Sequence, residues 1–342
     1  MSRDSRSDDE TTTRRRYVAG AGTVAAVSLA GCSGGGGGGS TGDEGSGDDS
    51  GDGESSATGG DDADSAALEI VHWWTAGGEQ DAYQALLDGF REAHPDVEVV
   101  DNPAPGGAGS AIDTVIQNRV IDGEPPSTFQ IWPGQALTPY TDEGLLEPIG
   151  ESVWDDEMRA AYLDGVLDLA QPAGDLVAVP INIHRLNNLF YNASVREDAG
   201  VDPTTIDDPQ GLLDAMETVA AETDATPMAH QTQAPWSSLQ LWENVFLGQT
   251  GVNAYQTLLE GDVASFEDEV RSALDTMSAY AEYFPEDAGS ISWDQGNNDV
   301  IAGDAAFLHQ GDWAAGQYGS AEDFAFGEDW DMVPFPGTDG VY

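Results

Sequence analysis

Sixty-three Asp and Glu residues against eleven Arg and no Lys put a formal charge of −52 on 342 residues. Whatever this chain folds into must withstand strong self-repulsion. The imbalance excludes nucleic-acid binding as a first reading, because neutralising phosphates needs a basic surface. Without Lys there is no Schiff-base chemistry and no P-loop lysine. Disorder is the usual fate of such acidity, yet nine Trp, ten Tyr and ten Phe supply the apolar area for a core. Acidity over a foldable core fits a protein built for very high salt, where a Debye length of about 3 Å at 1 M screens the charges. A single Cys excludes an internal disulfide and any multi-cysteine metal site.

The N-terminus is not read as part of the fold. Arg14-Arg15-Arg16 precede an uncharged stretch ending at Gly31. That stretch is about 15 residues long, below the roughly 20 that span a bilayer. A basic start, a short apolar middle and small residues at the end make residues 1–31 an export signal. Thr13 to Val18 resembles the twin-arginine signature, and Leu29-Ala30-Gly31-Cys32 resembles a lipobox. The expectation is a lipid-anchored protein on the extracellular face of the membrane, with Cys32 carrying the lipid. Residues 33–65 hold 13 Gly, 7 Ser and 9 Asp or Glu and no aromatic residue, so 32–65 read as a flexible tether.

Beyond residue 65 the pattern becomes that of an α/β protein. Leu68 to Trp73 alternates and breaks at Gly77-Gly78, a strand and a turn. Tyr83, Leu86, Leu87 and Phe90 fall at helical spacing and must stop before Pro95. Val97 to Val100, a helix through Ile112 to Val120, and Phe129 to Trp132 continue β-α-β-α-β, which implies a largely parallel sheet. Strands are expected at Leu176–Pro180 and Asn188–Tyr191. The second half repeats the grammar, with helices around Leu212–Ala220, Leu239–Phe246 and Val270–Phe284. Its strands are expected at Met228–His230, Ala305–His309 and Asp331–Phe335. Two α/β lobes, 66–182 and 183–342, predict a ligand cleft between them.

No H-E-x-x-H, G-x-S-x-G, G-x-G-x-x-G after a strand or clustered His pair is present. No catalytic residue, metal site or cofactor is assigned. What stands out is Trp at loop starts: Trp73-Trp74 after the first strand, Trp132, Trp236 after Pro235, and Trp313 after Gly311-Asp312. Broad apolar rings at strand ends suit the C–H faces of a sugar, with planar polar groups bonding the hydroxyls. Core packing is the competing account, strongest for Trp242 on an apolar helical stripe. A secreted carbohydrate-active hydrolase and a glycan-binding adhesin remain alternatives. Asn192-Ala193-Ser194 also fits the glycosylation pattern, at a frequency expected by chance.

The segments W-W-T-A-G-G-E (Trp73 to Glu79), G-G-A-G (Gly106 to Gly109), P-P-S-T-F-Q (Pro125 to Gln130) and V-P-I-N-I-H-R (Val179 to Arg185) carry a resemblance. So do Pro235-Trp236, G-D-W-A-A-G (Gly311 to Gly316) and P-G-T-D-G (Pro336 to Gly340). In this order they resemble an extracellular solute-binding protein of an ABC sugar importer, closest to glucose/mannose-binding members. The resemblance implies a two-lobed periplasmic-binding-protein-like fold and no enzymatic activity. It implies sugar contacts at Trp74, Glu79, Gln130, Asn182, His184, Trp236 and Asp312, beside the exposed Trp73 and Trp313. The implied partners are a monosaccharide, the importer's permease subunits and the membrane through Cys32; the protein is expected to be a monomer. Members of the family continue well past the P-G-T-D-G stretch, so the resemblance also implies a truncated chain.

Overall fold

The computed structural model describes residues 67–341 except 76 and 105–109. The export signal, Cys32, the tether and the Gly106–Gly109 segment lie outside the described residues.

Two separate sheets form, one from each half of the chain. The first has three parallel strands in the order β2-β1-β3: β1 Leu68–His72, β2 Val99–Pro103 and β3 Thr128–Phe129. Ile70 stands opposite Asp101 on one side and Thr128 on the other. Parallel neighbours need crossovers, and the helices Gly77–Ala93 and Ser110–Asp122 supply them. Val71, Ile112, Ile116 and Tyr140 close this core. Of the predicted apolar stripe on the first helix, Tyr83 and Leu87 are buried while Leu86 is 59% exposed.

The second sheet has the order β5-β6-β4-β7: β4 Asn188–Asn192, β5 Thr226–Met228, β6 Ala305–Gln310 and β7 Trp330–Pro334. Every residue of β4 and β6 is buried. Alternation along them sends side chains to two different cores. Leu189, Tyr191 and Phe307 join Leu212, Met216, Val245 and Tyr280 on one side. Phe190 and Leu308 join Val300, Tyr318 and Trp330 on the other. Helices Pro209–Glu222, Pro235–Thr250 and Glu267–Tyr280 cover the first of these cores, and Trp293–Ala302 and Trp313–Ser320 the second.

Two expectations are corrected. The second sheet is mixed, because β4 runs antiparallel to both β6 and β7. Leu176–Pro180 forms no strand. Its backbone makes isolated bonds, Ile149 N–H to Leu176 and Val177 N–H to Ala170, and Pro180 has no N–H with which to extend a ladder. Asn192 is 4% exposed, and its side chain caps the helix Ala193–Asp198 and reaches the Val300 carbonyl, so the sequon serves the fold.

Between the sheets the chain crosses through residues 180–187 in irregular conformation. The segment after β7 returns beside it: Asn187 Nδ2 donates to Thr338 Oγ1 at 3.0 Å and to the Val341 carbonyl at 3.1 Å. Two stretches of backbone therefore run side by side at the junction of the lobes.

Candidate functional site

The carboxyl ends of the strands aim their loops at one cleft, as expected of α/β sheets. Trp73 and Trp74 follow β1, and Glu79 lies in the first turn of the next helix. Gln130 follows β3, and Asp312 and Trp313 follow β6. Trp236 opens the helix Pro235–Thr250. Asn182 and His184 come from the crossover. A cavity of about 1050 Å³ is lined by Trp73, Trp74, Glu79, Gln130, Asn182, His184, Trp236 and Trp313. The lining also includes the apolar side chains of Ile70, Phe90, Leu145 and Val166.

His184 is central among the polar groups. Its Nδ1 lies 2.6 Å from Asp312 Oδ1, and its Nε2 lies 3.4 Å from Glu79 Oε1. The second contact has ion-pair distance without hydrogen-bond alignment, which leaves Nε2 a donor without a well-aligned acceptor. Burial opposes the imidazolium, but the Asp312 and Glu79 carboxylates outweigh it and hold the ring at a pKa of about 9. Asp312 is itself lowered: burial pushes it up, and the bonds from His184 and the Arg185 N–H more than reverse that. Asn182 Nδ2 donates to Glu79 Oε1 at 2.8 Å. Its backbone sits in the left-handed region at φ 56°, which Asn tolerates better than most residues. First-lobe helix, crossover and second-lobe loop thus meet in one polar network.

Asp312 occupies the N-cap position of the helix Trp313–Ser320 but makes no capping bond. Its two oxygens go instead to His184 and to the Arg185 N–H, at 2.6 and 3.2 Å. Of the aromatic groups, Trp313 packs against this network and Trp236 against Trp313. Trp313 lies edge-on to His184 at 4.9 Å between ring centroids and to Trp236 at 5.8 Å. The Trp236 indole N–H is buried without an acceptor. Trp73 is stacked on Trp132 at 5.9 Å and also closes the first-lobe core. Gln130 accepts the Trp73 N–H at 2.9 Å. Trp242 belongs to the second-lobe core beside Phe246.

Sequence reasoning missed three groups. Trp293, at the start of its helix, and Gln240 both line the cavity. The same Trp-at-helix-start signal that selected Trp236 would have found Trp293. The third is a support for Trp74: Asp101 accepts from His72 Nε2 at 2.7 Å, and His72 Nδ1 accepts the Trp74 N–H at 3.1 Å. No cluster of His, Cys, Asp and Glu suited to a metal occurs among the described residues.

Comparison with known proteins places the chain in a family. Xylose/arabinose-binding protein XacG of Haloferax volcanii is 38% identical over 277 residues, covering 80% of this chain and 60% of its own length. Glucose-binding protein GlcS of Saccharolobus solfataricus is 22% identical over 296 residues, covering 79% and 52%. A solved chitin oligosaccharide binding protein superposes with a TM-score of 0.67 at 17% identity, over 80% of this chain and 68% of that one, a likeness of fold. The chain spans about 60% of the length of the first curated relatives it matches. The family described as bacterial extracellular solute-binding protein matches residues 76–342. With two α/β lobes around a cleft and that match over most of its length, the chain belongs to the bacterial extracellular solute-binding proteins.

Proposed function

We propose that this protein captures a monosaccharide between its lobes and hands it to an ABC importer, without chemistry on the sugar. The observation that carries the reading is one cavity lined by Trp74, Trp236 and Trp313 together with Glu79 and His184, with Trp313 edge-on to both His184 and Trp236. Indole faces shelter the C–H surface of a pyranose, while Glu79, Gln130, Asn182 and His184 pair with its hydroxyls and Asp312 holds the His184 ring from behind. The sugar is glucose-like. Xylose, which the Haloferax volcanii relative is named for, shares the glucose ring without its hydroxymethyl group. Closure about the crossover, with lobes 66–182 and 183–342, desolvates the ligand, and the permease reads the closed form. The twin-arginine export signal, the lipid on Cys32, the monomeric state and the high-salt habitat belong to the same proposal.

The test is a thermal-shift panel of D-glucose, D-mannose, D-xylose and L-arabinose, beside an assay for reducing ends released from polysaccharide. Ligand at a hundredfold excess over Kd stabilises by about 2.7 kcal/mol. Stabilisation by at least one free aldose with no reducing ends released is the expected result. Release of reducing ends would replace the receptor by a hydrolase.

A further inference from the structure

The two lobes also meet away from His184, at a place where two glycines face each other. The helix Gly77–Ala93 of the first lobe begins against the helix Trp313–Ser320 of the second. A Cβ built on Gly78 would lie 2.9 Å from the Gly316 Cα and 3.2 Å from its carbonyl carbon. A Cβ on Gly316 would lie 3.3 Å from the Gly78 Cα. Gly316 stands inside a helix, where Gly costs about 1 kcal/mol against Ala; unlike Gly89 and Gly319 in the same two helices, it faces another backbone within 4 Å.

The receiving surface is stiff. Gln317 donates to the Asp294 carbonyl at 3.1 Å and to Asn298 Oδ1 at 2.8 Å, and accepts from Asn297 at 2.8 Å. Gly77 sits over Trp293 and Gln317, its Cβ position 3.6 and 3.8 Å from them. The start of the first-lobe helix therefore rests in a socket that is tied into the second lobe. Glu79 follows Gly78 directly, and Trp313 lies one turn before Gly316. The separation of the two backbones fixes how near Glu79 comes to His184 and Asp312.

We propose that Gly78 and Gly316 are the seat on which the lobes close, and that their missing side chains set how closely the two walls of the cleft approach. The inference rests on the proposed sugar-binding function for its ligand but not for its geometry. Gly78→Ala holds the lobes apart and weakens aldose binding by about tenfold or more, the scale of a Cβ forced into a packed contact. Gly316→Ala does so less, because its Cβ meets Gly78 at a longer distance. Gly89→Ala and Gly319→Ala, in the same two helices with nothing within 4 Å of the added Cβ, serve as controls.

Small-angle X-ray scattering and calorimetry on the four variants and the unmodified protein, with and without D-glucose or D-xylose, test this. The expected result is sugar-induced compaction in the unmodified protein and both controls, less in Gly316→Ala and least in Gly78→Ala. Ligand-free melting temperatures should not fall in either seat variant. Equal compaction and affinity in all five proteins overturn the proposal. A fall in ligand-free melting temperature for both seat variants also overturns it, since the contact then belongs to the fold rather than to closure. If no protein responds to sugar, the sugar-binding reading fails, and the ligand-free scattering decides the seat. Larger radii for the two seat variants alone support it, and equal radii overturn it.

Discussion

His184 lies between two carboxylates, so its charge state governs how firmly the first lobe, the crossover and the second lobe are joined. With a folded pKa of about 9 against an ordinary 6.5, the ring binds its proton more tightly in the folded protein. The stabilisation is complete below about pH 6.5 and is lost as pH rises through about 9. Buried His230 and His309 act in the opposite sense. Burial takes them down to about 3 and 4, so stability falls as pH drops below about 6.5, where the unfolded chain takes up their protons. The two windows do not overlap, and melts of His184→Gln against the unmodified protein isolate the alkaline one. The difference in melting temperature should shrink steadily between pH 6.5 and 9; a constant difference refutes the linkage. At the same scale, Trp74→Ala and Trp236→Ala should each weaken aldose binding by about 2 kcal/mol, and Glu79→Ala by about 1–3 kcal/mol. Calorimetry on all three checks the assignment, which fails if each binds like the unmodified protein. Trp74, Trp236 and Trp313 were legible because Trp beside Gly, Pro or Asp at a strand end is poorly explained as core, whereas Glu79, Gln130, Asn182, His184 and Asp312 came only from the family resemblance. The link between His184 and Asp312 was not legible, since 128 residues separate them. Nor could local sequence show that Asp312 would leave its helix uncapped to hold a histidine.

The elements show where periodicity carries information and where it stops. The first sheet was readable because β-α-β-α-β spacing implies parallel neighbours whatever the residues are. The direction of β4 was not readable: a strand buried on both faces has the same composition either way round, and it follows a crossover rather than a helix. The region from Thr138 to Leu169 breaks into helices of four to six residues, too short for an apolar repeat to register. Polar bonds between elements also escape the sequence. Asp101 on β2 receives His72 of β1 and Tyr83 of the next helix, and His72, 3% exposed, in turn receives the Trp74 N–H. Asp101→Ala leaves a buried imidazole N–H without its acceptor and should destabilise the protein by about 1–3 kcal/mol. Because the chain of bonds ends at Trp74, the variant should also bind sugar more weakly than its stability loss alone explains. Asp101→Asn, which keeps an acceptor, should recover most of both. Urea melts with paired calorimetry make the comparison, and unchanged stability in Asp101→Ala would remove the support role.

For the molecule as a whole, charge is the dominant fact. After residue 65 there are 50 acidic residues and 6 Arg, a net of 6 − 50 = −44. One of the Arg is well used: Arg119 holds both Glu69 oxygens at 2.6 Å and takes that carboxyl down to about 2. Arg91 and Arg271 reach Asp88 and Glu267 only in exposed pairs, which contribute little. Asp113 and Glu243 are raised, and the cause is burial rather than neighbouring carboxylates. The repulsion is therefore spread over the surface, where mobile ions reach it, and is not concentrated in a few buried groups. Spread repulsion between exposed charges is the kind that salt screens best. Folding stability should rise steadily as potassium chloride goes from about 0.2 to 3 M, where the Debye length falls well below ordinary charge spacings. Dialysis to low salt should cost structure. Acid substitutes only in part, since protonating Glu69 and Asp312 breaks their bonds and protonation of the unfolded chain draws on His230 and His309. Circular dichroism melts across the salt series at pH 7 decide the matter. A melting temperature that stays flat over that range would show that the acidic surface is not tuned to concentrated salt.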